Sequence, residues 1–336
     1  MRKLVVTEYV TLDGVNEDIQ LRHRSSLLPT SRQRRIKLMI KQPQDDRILL
    51  VTRLVALAVI PFLVMAFIIL FIFPQLSGER FAWQIKPNLM AVYMGAGYLG
   101  GAYVFLQTLI GRRWHRVAGG YLAVTSFTIM MLLATILHWS RFDLHNLAFQ
   151  IWLVLYVVTP FLVPWLWWHN KPVDSGAPEE QDAVVPAGFR FVFRIFGFGM
   201  IFVALAGLVY PTILIRVWPW TLTPLTARVL AGWGSLIAIG NLVISNDRRW
   251  SSWRVGAVSI GLWHLLFLVG SVIHWQDFNG GQWLNWFTIT IMGVLIFVSG
   301  LYIRMESVRS RMKNATSTSQ TAQNDQLRLL HENRSQ

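Results

Sequence analysis

The chain has 336 residues, of which 54% are hydrophobic and only 14% charged, with a formal net charge of +14. Soluble domains carry about 25% charged residues, so an ordinary soluble enzyme is excluded; Lys and Arg gather on one side of membrane proteins, so the basic balance does not call for nucleic acid. The absence of cysteine excludes disulfides, thiolate metal sites, iron–sulfur clusters and a Cys nucleophile.

Residues 1–47 are polar, and the apolar run that follows is too long and wrongly flanked for a cleaved leader. Near the start, Val5 to Val10 alternates like a strand and leads into Thr11-Leu12-Asp13-Gly14-Val15. This stretch resembles the opening of the dihydrofolate-reductase-like domain of riboflavin-biosynthesis reductases. The resemblance covers residues 1–18 and then stops. Such a domain needs far more chain to bury a core, so the resemblance implies a remnant with no activity carried over, and Met39 is an alternative start.

Eight apolar runs follow in order, each near the ~20 residues that cross a bilayer as a helix. They are Leu54–Phe73, Leu89–Ile110, Val117–Leu137, Leu147–Trp168, Ile195–Ile215, Val229–Ser245, Val255–Ile273 and Trp286–Ile303. With both ends in the cytosol, only Arg80, Lys86, Arg141, Arg216 and Arg228 of the 31 Lys and Arg fall in outer loops. The positive-inside rule therefore places both termini in the cytosol. Tryptophans such as Trp83, Trp139 and Trp275 mark the outer boundary, and Trp114, Trp165 and Trp250 the inner one, as an aromatic belt.

The spans fall into two similar halves. Pro74 returns as Pro211, FAWQIKP (Phe81 to Pro87) as WPWTLTP (Trp218 to Pro224), and RRW at Arg112–Trp114 as RRW at Arg248–Trp250. LHWSRF (Leu137 to Phe142) returns as IHWQDF (Ile273 to Phe278). The offset stays at 136 or 137 throughout. Four spans per half make the repeat parallel, about a pseudo-two-fold axis along the membrane normal. The expected architecture is all-α and polytopic: an N-terminal segment (1–47), repeat 1 (48–168), a linker (169–194), repeat 2 (195–304) and a disordered cytosolic tail (305–336). The repeated unit from Leu54 to Ile303 also resembles uncharacterised multi-pass proteins of bacteria, which implies no substrate or reaction.

Gly95, Gly97 and Gly100 spell the dinucleotide pattern GxGxxG, but they lie inside an apolar span without the strand that motif requires. They read instead as a close helix contact, with Gly232 and Gly234 at comparable positions. Arg112, Arg113, Trp114 and their counterparts Arg248, Arg249 and Trp250 read as lipid-headgroup anchors. No Asp or Glu lies within a span, which weakens an ion-coupled carrier, and no Ser–His–Asp set can be placed within the spans. His264 is a lone His in the seventh span, read as a packing residue.

The expectation for function is ligand binding or facilitated transport at an outer aromatic vestibule between the repeats. Its candidate residues are Trp83, Trp220, His138, His274, Phe142 and Phe278, suited to a small apolar or cationic ligand. The alternatives are a haem- or metal-binding redox protein using His138 and His274, and a non-catalytic partner of another membrane protein. Membrane lipids are expected partners; no catalytic residue and no cofactor are expected.

Overall fold

A computed structural model describes residues 46–334, with side chains described to residue 318. The reductase-like stretch and Met39 lie outside the described residues. All regular structure in the described part is helical. The helices are α1 (Leu50–Phe67), α2 (Ser77–Arg80), α3 (Asn88–Ile110), α4 (His115–Leu137), α5 (Leu147–Asn170), α6 (Ala187–Val209), α7 (Pro211–Val217), α8 (Pro224–Ile244), α9 (Trp250–Ile273) and α10 (Trp286–Arg334). Eight of them are long and apolar enough to cross a membrane; α2 and α7 are the short exceptions, and α1 counts with its extension to Ile72.

Local chemistry sets the ends. Phe73 and Tyr210, each followed by a proline, leave helical geometry, because a proline ring crowds the residue before it. The fifth helix therefore ends at Val209 rather than running to Ile215. It also starts at Ala187, inside the expected linker, so the irregular connection is only residues 171–186. Thr223 and Thr226 form a reciprocal cap on α8, with Pro224 in its first turn. The Asn146 side chain caps α5 by accepting from Ala148 N and Phe149 N.

α1 begins at Leu50 because Arg53 finds partners there: its Nη2 donates to Gly111 O at 2.6 Å and its Nη1 to Leu109 O at 3.3 Å. At the other end of the chain, α10 does not stop where its apolar stretch ends. It continues as one helix to Arg334, where disorder was expected from residue 305.

Packing follows a pattern in which each half grips the other. α1 lies on α3, and α5 on α4; in the second half α6 lies on α8, and α10 on α9. Between halves, α3 packs on α9, α8 on α4, and α4 on α9. Small residues allow the close crossings. A methyl group on Gly97 would stand 2.6 Å from the Trp233 ring, and one on Gly95 would stand 2.8 Å from the backbone nitrogen of Phe71. Ser259 Oγ donates to Gly100 O at 2.8 Å across the α3–α9 contact. The glycines of α3 thus serve helix approach.

Candidate functional site

Beyond α3 and α8 lies the face with the FAWQIKP and WPWTLTP loops. Trp83 meets Phe142 edge-on at 5.8 Å, and Trp220 meets Phe278 at 5.8 Å in the same manner. All four rings are buried. Trp83 and Phe142 belong to a nest with Phe81, Trp152 and Phe149. Trp220 and Phe278 belong to another, with Phe267 and Phe287. Tyr93, Trp233 and Tyr98 link the two nests by ring contacts. The repeated aromatics are therefore packed within the protein.

His138 and His274 terminate α4 and α9. No described hydrogen bond or ring contact joins them. Arg228 Nη1 donates to His138 Nε2 at 2.8 Å. Burial, then the guanidinium groups of Arg228 and Arg141, hold the His138 imidazole below its usual range. The Nε2 lone pair that would meet a metal or haem iron is thus engaged by a cation.

The opposite face carries the RRW motifs, whose tryptophans turn inward while Arg112, Arg113 and Arg248 are exposed. Trp114 and Trp250 are 1% and 0% exposed, enclosed by protein where headgroup anchors were expected. Trp250 Nε1 donates to Glu306 Oε1 at 2.8 Å. Arg249 is clamped between carboxylates: Nη1 and Nη2 donate to Asp174 at 2.7 and 2.9 Å, and Nη2 to Asp247 at 2.7 Å. Burial opposes ionisation of Asp174 and Asp247, but the Arg249 hydrogen bonds outweigh it and hold both carboxyls below the ordinary carboxylate range.

One residue past each RRW sits a group that the sequence reading did not single out: His115 after the first and Ser251 after the second. They meet, with His115 Nε2 2.9 Å from Ser251 Oγ. Each is tied to an aspartate that precedes its half. Asp46 accepts from His115 N at 3.2 Å and pairs with His115 Nδ1; Asp182 accepts from Ser251 N at 2.9 Å and from Ser251 Oγ at 2.5 Å. These aspartates satisfy the exposed N–H groups that begin α4 and α9. The 136-residue offset that relates His115 to Ser251 also relates Asp46 to Asp182, so these residues were legible by extending the repeat.

Asp46, His115 and Ser251 stand in the order of a hydrolytic triad. However, the Ser251 hydroxyl proton is directed to Asp182, and Ser251 is 5% exposed. The chain Asp46–His115–Ser251–Asp182 is a buried bridge between the two halves, not an open nucleophile. Asp46, His115 and Asp174 place donor atoms within 4.8 Å of one another. A cation there would have to displace Arg249 from Asp174 and His115 from Asp46, so the donor set does not fit a resident metal.

Glu179 completes this face. Arg116 Nε and Nη2 each donate to its carboxylate at 2.6 Å, His115 Nε2 lies 3.1 Å from Oε1, and Arg113 Nε lies 3.9 Å away. Burial resists charge on Glu179, yet the hydrogen bonds from His115 and Arg116 hold its carboxyl well below the ordinary range.

Between the two faces is a cavity of about 1090 Å³. Its walls come from all eight long helices and are almost wholly apolar; Arg116 is the one Asp, Glu, Lys or Arg among them. Exposed side chains such as Phe62 of α1 and Phe196 and Phe202 of α6 belong to the same wall. The cavity is therefore continuous with the apolar outer surface. Trp233 also lines it and is buried, with an indole N–H that has no hydrogen-bond partner. No protein-family profile, curated protein or solved structure matches the chain.

Proposed function

We propose that this is a multi-pass protein of the bacterial cytoplasmic membrane, built from two parallel four-helix repeats with cytosolic ends, and that it binds a lipid-like molecule between its helices. The repeat rests on the constant sequence offset and on matched structural details. Among these are the aspartate caps of α4 and α9 and the equivalent backbone bridges Arg47–Arg113 and Val184–Arg249. The orientation rests on the distribution of Lys and Arg.

The ligand reading rests on the cavity. At about 1090 Å³ it is slightly larger than the roughly 300–1,000 Å³ typical of small-molecule sites. Its apolar wall reaches the outer surface of the helices, which offers a hydrocarbon chain a sideways route from the bilayer. The proposed ligand therefore lies among the helices rather than at a vestibule formed by Trp83, Trp220, His138, His274, Phe142 and Phe278. The buried packing of the four rings and the Arg228–His138 bond favour that placement over a haem or metal reading.

Two glycines make a clean test. Gly256 and Gly293 line the cavity, and a methyl group added at either would meet no atom within 4 Å. Gly256→Phe or Gly293→Phe should fill the space without disturbing helix contacts. Purified full-length chain should bind radiolabelled oleyl alcohol saturably, and each variant should weaken binding about tenfold, the loss of one or two buried methylene contacts. Non-saturable binding, or saturable binding untouched by both variants, sinks the reading.

A further inference from the structure

The Glu179 carboxylate occupies a site built for an anion at the end of an apolar cavity. Its principal partner, Arg116, belongs both to that site and to the cavity wall. Arg116 offers a planar pair of N–H donors to two carboxylate oxygens, the geometry that a guanidinium matches best. His115 Nε2 adds a donor on one side, and Arg113 adds a positive charge at 3.9 Å. Glu179 comes from the irregular segment 171–186, not from a helix. A tethered loop carboxylate thus pairs with the one Asp, Glu, Lys or Arg of the cavity wall.

We propose that Arg116, with His115 and Arg113, is the headgroup seat for a long-chain carboxylate, and that Glu179 holds the seat as an internal competitor until such a ligand displaces it. The proposal rests on the lipid-like reading of the cavity and adds the ligand's charged end. The ligand carboxylate takes the Arg116 fork and its hydrocarbon runs along the cavity wall. Glu179, released, moves toward solvent with its segment. Exchange of one carboxylate for another leaves the charge of the seat unchanged, so the apolar burial that Glu179 lacks is what the ligand sets against the advantage of a tethered competitor. A neutral chain gains that burial without the seat.

Oleic acid, at a pH where it is ionised, and oleyl alcohol share a chain and differ at the head. Equilibrium binding of both is measured on the full-length protein and on Glu179→Gln, Arg116→Lys and Gly256→Phe. Removing the competitor in Glu179→Gln should raise oleate affinity about tenfold, as expected for a freed charge-assisted fork, and leave oleyl alcohol unchanged. Arg116→Lys keeps the charge but loses the fork, and should reduce oleate affinity with no change for the alcohol. Gly256→Phe should weaken both.

Unaltered oleate binding in Glu179→Gln overturns the competitor, and equal effects of Arg116→Lys on acid and alcohol overturn the seat. Failure of the cavity reading looks different: the alcohol does not bind, or Gly256→Phe changes neither ligand. Stronger binding of a single-chain phosphate than of oleate, with the same dependence on Arg116, overturns the carboxylate assignment. Thermal unfolding of each variant separates loss of binding from loss of fold.

Discussion

Single side chains hold the Asp46 face together, and the most consequential are those that satisfy buried polar groups at long range. Asn170 is fully buried; its Nδ2 donates to Thr52 Oγ1 at 2.6 Å and its Oδ1 accepts from Leu49 N at 3.1 Å. It ties the end of α5 to the start of α1. Asn170→Ala leaves these groups unpaired and should lower stability by about 1–3 kcal/mol, read as a lower Tm of the detergent-solubilised protein. The carboxylates set a pH dependence. Asp174, Glu179 and Asp247 all have folded-state pKa values below those of the unfolded chain. Their contribution is therefore present at neutral pH and is lost as pH falls below about 4, the ordinary carboxylate value, through the depressed folded values. Tm measured on an acid series should fall there, and Glu179→Gln should flatten part of that fall. A pH profile identical in that variant would remove Glu179 from the account.

At the scale of helices, hydropathy and the repeat made all eight long elements legible, while several ends were not. Hydropathy averages over charges at a helix end, so it missed the starts of α1 at Leu50 and α6 at Ala187, where Arg53, Arg190 and Arg194 are carried within the helix. It also ran the fifth element through Pro211. The glycine reading carried over well, because a residue without Cβ on an apolar helix has few roles besides approach. The positions are not equal, however. Gly97→Ala drives a methyl into the Trp233 ring and Gly95→Ala into backbone, whereas Gly101 has only a Leu63 methyl at 3.7 Å. The first two should cost about 1–3 kcal/mol each, as overpacking does, and Gly101→Ala should change Tm little. Equal effects at all three would contradict the close α3–α9 and α3–α1 approach.

For the whole molecule, the candidate site divides in two. The repeated aromatics and histidines were visible because the letters match; Trp83 and Trp220 stand out at a glance. The Asp46–His115–Ser251–Asp182 bridge stands out less: the offset lines its residues up, but its halves differ, an imidazole in one being a hydroxyl in the other. Only distance geometry joins residues 69 and 136 positions apart. Topology can be tested directly because the chain has no cysteine. Thr318→Cys should react with a membrane-impermeant maleimide only after cells are opened, and Leu144→Cys, in an exposed loop, should react in intact cells. Labelling of Thr318→Cys from outside would reverse the assigned orientation.

The crossed packing of the halves has a mechanical consequence. Four helices, α3, α4, α8 and α9, are locked to one another across the repeat, while α1, α5, α6 and α10 each lean mainly on one of them. A rocking motion of one half against the other would tear the α3–α9 and α8–α4 contacts, together with the bridge through His115 and Ser251. Outward swing of a flanking helix would spare those contacts but break its own seam and its ties to a neighbouring flank, such as the Asn170 link between α1 and α5. The described helices thus form a cross-linked centre of four with one flanking helix on each, and on the proposed reading a ligand would enter past a flanking helix, in the plane of the bilayer.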